Sequence, residues 1–186
     1  MQFLKFAKHL SVTAALLGSV TAYEASDAQT ATTGKPQLGR CYMGDCSWSR
    51  EQSRTVVRSS SVGRLLRLSL IGGTSADRRN SSIRWERRPH DVFVFCSTAL
   101  PSVFMPTAGG MQVDVLDFEN GPPGILESSA NLYVHACHGP QADWGQSGFA
   151  RRYGYRAIPD EFQDVTIRSP DEIFAVAQRA AVRRSK

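Results

Sequence analysis

The sequence predicts an α+β domain built on a mostly antiparallel β-sheet of at least four strands and stabilised by disulfides. Three observations indicate this class. Apolar residues alternate with polar ones in the middle of the chain, the apolar spacing becomes helical near the end, and the chain carries four cysteines. Alternation is the pattern of a half-buried strand, whereas a spacing of three and four residues is that of an amphipathic helix.

Two segments predict strands at the centre of the sheet. Leu66, Leu68 and Leu70 alternate with polar residues up to Gly72-Gly73, which predicts a half-buried strand that ends at a turn. Residues 91–97, DVFVFCS, are apolar at every position from Val92 to Cys96. Because this run is rich in β-branched and aromatic residues, we expect a central strand covered on both faces.

A hairpin and a helix complete the predicted domain. Residues 102–105 and 111–118 form two strand patterns, and the glycines of the intervening PTAGG suit a hairpin turn. From Ser169 the period becomes helical, with Ser169 as N-cap, Pro170 at the first helical position and Glu172 where a capping box needs it. We expect this C-terminal helix to bury a stripe formed by Ile173, Val176, Ala177 and Ala180.

The start of the chain has the layout of a secretory signal peptide. Lys5 and Lys8 precede an uncharged, largely apolar run, and small residues of the kind that cleavage requires end at Ala22 and at Ala28. We therefore expect a signal peptide over 1–28, cleaved after Ala22 or Ala28, a flexible leader over 29–39 and one globular domain over 40–186. The apolar run is shorter than the ~20 residues of a membrane span, so we predict a secreted or periplasmic protein without such a span.

The charge balance gives little support to nucleic-acid binding. Basic residues exceed acidic ones by 22 to 17, and most of the cations are scattered arginines. A nucleic-acid interface would more typically show a basic stripe with interleaved aromatics. Residues 139–162 instead form a Gly-rich segment with aromatic residues and an arginine pair, in which Trp144, Arg151, Arg152 and Tyr153 are candidate binding residues. The competing interpretation is that these aromatics anchor the loop to the core.

The segment YVHACHGP, residues 133–140, is the most chemically suggestive part of the chain. A preceding serine and the following Gly139-Pro140 predict a short helix near 128–138, with a strand as the alternative. On a helix, His135 and His138 share a face while Cys137 points toward the core. In an oxidising compartment an even number of cysteines predicts disulfides.

Four cysteines allow three pairings. Cys41 and Cys46 flank Gly44-Asp45, which suits a tight local loop, and this leaves Cys96 to pair with Cys137. We favour the pairs Cys41–Cys46 and Cys96–Cys137, with the two crossed alternatives left open because connectivity cannot be read from sequence.

The function predicted from these residues is non-catalytic binding of a protein or an envelope component, without a cofactor. Two alternatives remain open. A secreted nuclease or hydrolase could use His90 and His135 as acid and base with Arg87 as the cation. A metal could bind His135 and His138, although the further ligands that such a site needs are not evident, so no metal is predicted.

Overall fold

The computed structural model describes residues 30–31, 34–79 and 82–184. The predicted signal peptide, residues 1–28, lies outside these ranges and stays a prediction. The described chain forms an eight-stranded antiparallel sheet with helices near the C-terminus, which confirms the predicted fold class. The strands are β1 Thr30–Ala31, β2 Gln37–Tyr42, β3 Asp45–Ser60, β4 Gly63–Ser75, β5 Arg84–Trp85, β6 His90–Cys96, β7 Ser102–Thr107 and β8 Gly110–Val115. The helices are α1 Glu127–His138, α2 Phe149–Tyr153 and α3 Ile173–Arg184, with 3-10 turns at Gly124–Leu126, Asp160–Phe162 and Pro170–Glu172.

The strand order is β1-β3-β4-β6-β7-β8, with β2 paired to β3 and β5 paired to β4. Strand β6 therefore lies inside the sheet, as its continuous apolar run predicted. Its side chains are buried on both faces: Val92 and Val94 pack with α1, and Phe95 packs with α3. The domain has a helix on each side of one sheet, and each helix covers a separate hydrophobic cluster.

Two β-bulges interrupt the pairing of β3 with β4, at Gln52 and at Val57. A bulge adds one residue to one strand, so it changes which face the following side chains point to. After the first bulge, Arg54 lies opposite Leu68 on the α1 face. After the second, Arg58 lies opposite Leu65 and reaches the α3 side, where its guanidinium lies 4.6 Å from the centroid of the Phe174 ring.

The strand predicted to end at Gly72-Gly73 instead continues to Ser75, so the predicted turn is wrong. These glycines do not form a turn. They leave space for the neighbouring segment at Trp85 and Glu86, which packs closely against the backbone of β4. A Cβ atom on Gly72 would lie 2.8 Å from the Glu86 carboxylate, and one on Gly73 would lie 2.8 Å from the Trp85 ring. Glycine in a strand commonly marks such an approach.

The C-terminal helix is confirmed, and its cap differs in detail from the predicted capping box. The predicted apolar stripe is buried, and Pro170 opens a 3-10 turn that leads into α3. The Ser169 hydroxyl bonds the Glu172 carboxylate at 3.2 Å instead of a backbone N–H, and the other carboxylate oxygen accepts from the Arg168 N–H. At the other end of the domain, β2 begins at Gln37, inside the range predicted as a flexible leader.

Both predicted disulfides are present, Cys41–Cys46 and Cys96–Cys137. The first closes the β2–β3 hairpin, whose turn at Met43-Gly44 has positive φ at both residues, as a type I′ turn requires. The second joins the end of β6 to α1. Helix α1, Glu127–His138, confirms the helix predicted near 128–138. Its Cα atoms lie 5.6 Å apart.

Candidate functional site

Helix α1 carries both histidines of the YVHACHGP segment, and their side chains contact different parts of the domain. Its inner face buries Ala130, Tyr133, Val134 and Ala136 against the sheet. The His135 ring turns toward β2 and contacts Gln37. The His138 ring, one turn later, instead turns toward the segment 149–155. The histidines of the predicted metal alternative therefore have separate partners.

A cleft of about 740 Å³ lies beside His135. Residues 34–37 form one wall, His135, Pro140 and Gln141 form the other, and Glu51 and Arg54 of β3 line it between them. Ligand sites typically occupy about 300–1,000 Å³ and combine apolar surface with a few placed polar groups. The cleft has both the volume and the composition of such a site.

The Glu51 and Arg54 side chains form a bidentate ion pair in this cleft. Arg54 Nη2 and Nε donate to the two Glu51 carboxylate oxygens at 2.7 and 2.9 Å, and Nη1 donates to the Ala136 carbonyl at 3.0 Å. Residues three apart in a regular strand point to opposite faces. The bulge at Gln52 brings both side chains to the α1 face, and Glu51 is 6% exposed.

The surroundings of the His135 imidazole favour its neutral form. The Gln37 amide nitrogen lies 2.7 Å from Nδ1 and 3.0 Å from Nε2. An amide nitrogen only donates, so the ring nitrogen that accepts its hydrogen bond carries no proton, and the tautomer of His135 decides which of the two nitrogens this is. Burial lowers the pKa of His135, the nearby Arg54 guanidinium lowers it further, and the Glu51 carboxylate opposes them.

Trp144 lines a smaller depression of about 200 Å³ that continues from the cleft. The two cavities share Gln37, His135 and Pro140. The Trp144 indole is half-buried, and its N–H donates to the Asn131 side chain at 2.7 Å. The structure thus brings Trp144, predicted as a binding residue, to the same concave surface as His135.

His138 begins a chain of hydrogen bonds that runs into the core. Its Nε2 lies 2.6 Å from the Tyr155 hydroxyl, Tyr155 donates to Tyr133 at 3.0 Å, and Tyr133 donates to the Ser97 carbonyl at 3.0 Å. Since each tyrosine proton points inward along this chain, His138 must donate to Tyr155. Burial raises the pKa of Tyr155 to about 12 and that of Tyr133 well above its ordinary value, and it lowers the pKa of His138.

The aromatic residues of 139–162 divide between core and surface. Phe149 and Tyr155 are buried and pin the segment to the core. Tyr153 is half-buried with its ring centroid 3.9 Å from that of His138, and it lines a depression of about 250 Å³ together with Arg152. Arg151 is exposed. The candidates Arg152 and Tyr153 therefore belong to a neighbouring depression, not to the cleft beside His135.

The structure does not bring His90 and His135 to a common partner. His90, at the start of β6, has its Nδ1 3.4 Å from the Glu86 carboxylate, and both side chains are about half exposed. Arg87 is exposed in the turn before β6. The described parts of the chain contain no group of three or more His, Cys, Asp and Glu side chains arranged to hold a metal ion.

A second groove, of about 600 Å³, lies between α3 and residues 161–166. Its charged groups Glu161 and Arg183 meet at 3.6 Å with both side chains more than half exposed. Such surface pairs are weak and are not preorganised for a ligand. The cleft beside His135 is the better candidate because its ion pair is largely withdrawn from solvent.

Gln37, Glu51 and Arg54 are the most important of the site residues that the sequence did not indicate. Gln37 falls in the segment interpreted as a leader, and Arg54 is one of several scattered arginines. Glu51 and Arg54 meet because of a bulge, which disturbs the alternation that would otherwise reveal a strand. The one available signal was their spacing of three residues, which is uninformative for a strand.

Comparisons of the chain with protein-family models, with curated proteins and with solved structures found no match. None of the helices in the described ranges has the length and apolarity needed to cross a bilayer.

Proposed function

We propose that this chain is an exported, non-catalytic binding domain that holds a segment of a protein or an envelope component in the cleft beside His135. The observation that carries the proposal is the cleft itself, about 740 Å³ with the Glu51–Arg54 pair in its lining. Export is supported by the predicted signal peptide and by the two disulfides, which persist mainly outside the cytoplasm.

The ion pair equips the cleft for hydrogen bonding more than for charge recognition. A guanidinium carries five N–H donors, and Arg54 directs three of them to Glu51 and Ala136. Two donors therefore remain for a ligand, while the charge of Arg54 is already balanced by Glu51. Because the guanidinium is fixed by three bonds, it loses little conformational entropy when a ligand carbonyl or carboxylate binds.

The other polar groups of the cleft lie on its walls. Gln37 and Gln141 each offer an amide, His135 offers a neutral ring, and the exposed Lys35 adds a cation. Amides and a neutral imidazole suit a ligand with both donors and acceptors, such as a peptide backbone or a sugar. The Trp144 ring in the adjoining depression gives the ligand an aromatic surface.

Several observations favour binding over acid–base catalysis. The lowered pKa of His135 favours a neutral ring that can accept a proton, but catalysis of phosphate or peptide cleavage commonly needs a second titrating group beside it. Both Glu51 oxygens are already bonded to Arg54. His90 contacts Glu86 instead.

Site-specific photo-crosslinking in the producing cells tests the proposal. Gln141 on the cleft wall is replaced by p-benzoylphenylalanine in the full chain, and Gln178, an exposed glutamine on α3, is replaced likewise as the matched control. We expect a discrete adduct from position 141 that Trp144→Ala reduces, because the ligand loses its aromatic contact. An adduct from position 178 alone, or an adduct at 141 that Trp144→Ala leaves unchanged, would contradict the proposal.

Tyr153→Ala separates the cleft from the neighbouring depression. Since Tyr153 lines the depression beside His138, its removal should leave the adduct at position 141 intact. The melting temperature of every variant is measured in parallel, so that a lost adduct is not confused with a lost fold.

A further inference from the structure

The cleft beside His135 is one part of a longer concave surface. It shares Gln37, His135 and Pro140 with the depression that Trp144 lines. A ligand that passes the His135 ring therefore reaches both cavities. We call the two cavities together the extended cleft.

Two fixed side chains, Arg54 and Trp144, mark the length of the extended cleft. The Arg54 guanidinium is bonded to the Ala136 carbonyl, and the Trp144 indole is bonded to the Asn131 side chain. These two anchors are separated by five positions of α1, which corresponds to about 7–8 Å along the helix axis. A ligand that contacts both side chains is therefore longer than a single sugar ring or amino-acid residue.

The ionised side chains of the extended cleft balance in charge. Its lining contains two cations, Lys35 and Arg54, and two anions, Glu51 and Asp143. The lowered pKa of His135 favours a neutral ring, so the histidine adds no charge at neutral pH. A cleft attracts a charged ligand when one sign of charge predominates in its lining. The balance in the extended cleft therefore favours an uncharged ligand.

The polar groups left free in the extended cleft are suited to an amide. Arg54 keeps two N–H donors beyond its bonds to Glu51 and Ala136. In the parts of the chain that the structure describes, the side-chain carbonyl of Gln37 and the side-chain amide of Gln141 have no hydrogen-bond partner. An amide carbonyl is a stronger acceptor than a hydroxyl, and an amide N–H can donate to the Gln37 carbonyl. An uncharged ligand with an amide can therefore use these groups on both sides.

Amides occur in peptides and in N-acetylated sugars, and the walls of the extended cleft favour the sugars. A peptide that binds by strand addition needs a run of free backbone N–H and C=O groups. Pro36 and Pro140, on opposite walls, have no backbone N–H. The free polar groups belong to side chains instead, and side-chain amides and a guanidinium can pair with hydroxyl and acetamido groups in many directions.

The Trp144 ring supplies an apolar surface for a sugar ring. A pyranose presents C–H groups on its faces, and these pack against the ring of an aromatic side chain. The Trp144 N–H donates to Asn131 at 2.7 Å, and the Asn131 amide donates to the Gly39 carbonyl at 2.7 Å. Because these two bonds hold the indole in place, little side-chain freedom is lost when a ligand packs against it.

We propose, on the basis of the binding function above, that the ligand of the extended cleft is an uncharged glycan that contains N-acetylated sugars. One sugar ring packs against Trp144. The acetamido carbonyl of another sugar along the same chain accepts from the two free donors of Arg54.

Isothermal titration calorimetry of the purified, oxidised chain provides the measurement. The probe is the β1,4-linked tetramer of N-acetylglucosamine, and the matched probe is the β1,4-linked tetramer of glucose, which has hydroxyls in place of the acetamido groups. We expect the acetylated tetramer to bind about tenfold more tightly, because only this tetramer offers Arg54 a carbonyl. Its affinity should change by less than about twofold between roughly 50 and 500 mM NaCl, since salt screens only charged ligands.

Three variants locate the bound tetramer. Trp144→Ala should weaken binding by about tenfold, because the sugar ring loses its aromatic contact. Trp144→Phe keeps an aromatic ring and should bind within about threefold of the wild type. It should also abolish the tryptophan fluorescence change on binding, because Trp48 is buried and Trp85 packs against Arg50. Tyr153→Ala, which alters the neighbouring depression, should bind as the wild type does.

The proposal would be overturned if the acetylated tetramer does not bind, if both tetramers bind equally, if salt weakens binding strongly, or if Trp144→Ala leaves the affinity unchanged. A discrete protein adduct at position 141 in the crosslinking experiment, without binding of the tetramer, would overturn the glycan and leave the proposed function standing. Failure of both the calorimetry and the crosslinking would remove the proposed function as well.

Discussion

Removing the disulfide between Cys96 and Cys137 should destabilise the domain about twice as much as removing the one between Cys41 and Cys46. The first bridge closes a separation of 41 residues and the second a separation of 5. The loop-entropy relation gives about 4 kcal/mol for the long loop and about 2 kcal/mol for the short one. The long bridge also ties α1 to the central strand, so its loss should loosen the wall of the cleft that His135 forms.

The measurements are urea unfolding and thermal unfolding of Cys96→Ala/Cys137→Ala and of Cys41→Ala/Cys46→Ala against the wild type. With about 4 kcal/mol lost, the melting temperature of the first variant should fall by roughly 8–16 °C. A loss from the short bridge that equals or exceeds the loss from the long one would refute the reasoning, because it would show that local strain or packing outweighs chain entropy. The m-values must be compared as well, since a bridge also restricts the unfolded chain.

Three further predictions concern stability. Gly63→Ala should lower the free energy of unfolding in urea by about 3 kcal/mol, because a Cβ would lie 2.7 Å from the Phe95 ring at a backbone φ of +155°. Gly121→Ala should lower it by about 1–2 kcal/mol, because Gly121 has a φ of +82° but open space around it. Equal losses in the two variants would contradict the steric reasoning. Tyr155→Phe should cost about 1–3 kcal/mol by thermal unfolding, because His138 loses its hydrogen-bond partner; a neutral result would show that water replaces the hydroxyl. The contribution of His135 and His138 to the free energy of unfolding should be fully present above pH 6.5 and be lost as the pH falls below 6.5. Burial lowers the pKa of both histidines in the folded state, so the unfolded chain takes up protons at a higher pH than the folded one. In His135→Asn/His138→Asn the dependence of unfolding free energy on pH should be weaker, and an unchanged dependence would assign it to other groups.

The sequence predicted the elements whose apolar pattern is regular. The continuous run 91–97 became the strand β6, and the capped periodic segment from Ser169 became α3. The long strand β3 was not predicted, because its sequence DCSWSREQSRTVVRSS is polar and its two bulges break the alternation twice. Only pairing with β4 over most of its length makes this segment a strand, and such long-range pairing is not visible in local pattern.

Only some residues of the candidate site could be predicted, because local sequence pattern does not show long-range packing. His135 stood out by its chemistry and Trp144 by its position in an aromatic loop, and both line the cavities at the candidate site. Their partners Gln37 and Glu51 come from strands about 85–100 positions earlier in the chain. Which residues surround a histidine depends on how helix and sheet pack, so the sequence could name the histidine but not its neighbours.

The bulge at Gln52 makes the ion pair of the cleft sensitive to the length of β3 as well as to its residues. If one residue were deleted between Glu51 and Arg54, the strand would regain regular pleating with the two side chains only two positions apart, and the guanidinium would move about one residue step along the sheet, away from the Ala136 carbonyl. A homologous chain could therefore keep both charged residues in an alignment and still lack the third bond that orients Arg54. The spacing Glu-x-x-Arg, followed far downstream by His-Ala-Cys, is for this reason a more selective sequence signature for the cleft than any of its residues alone.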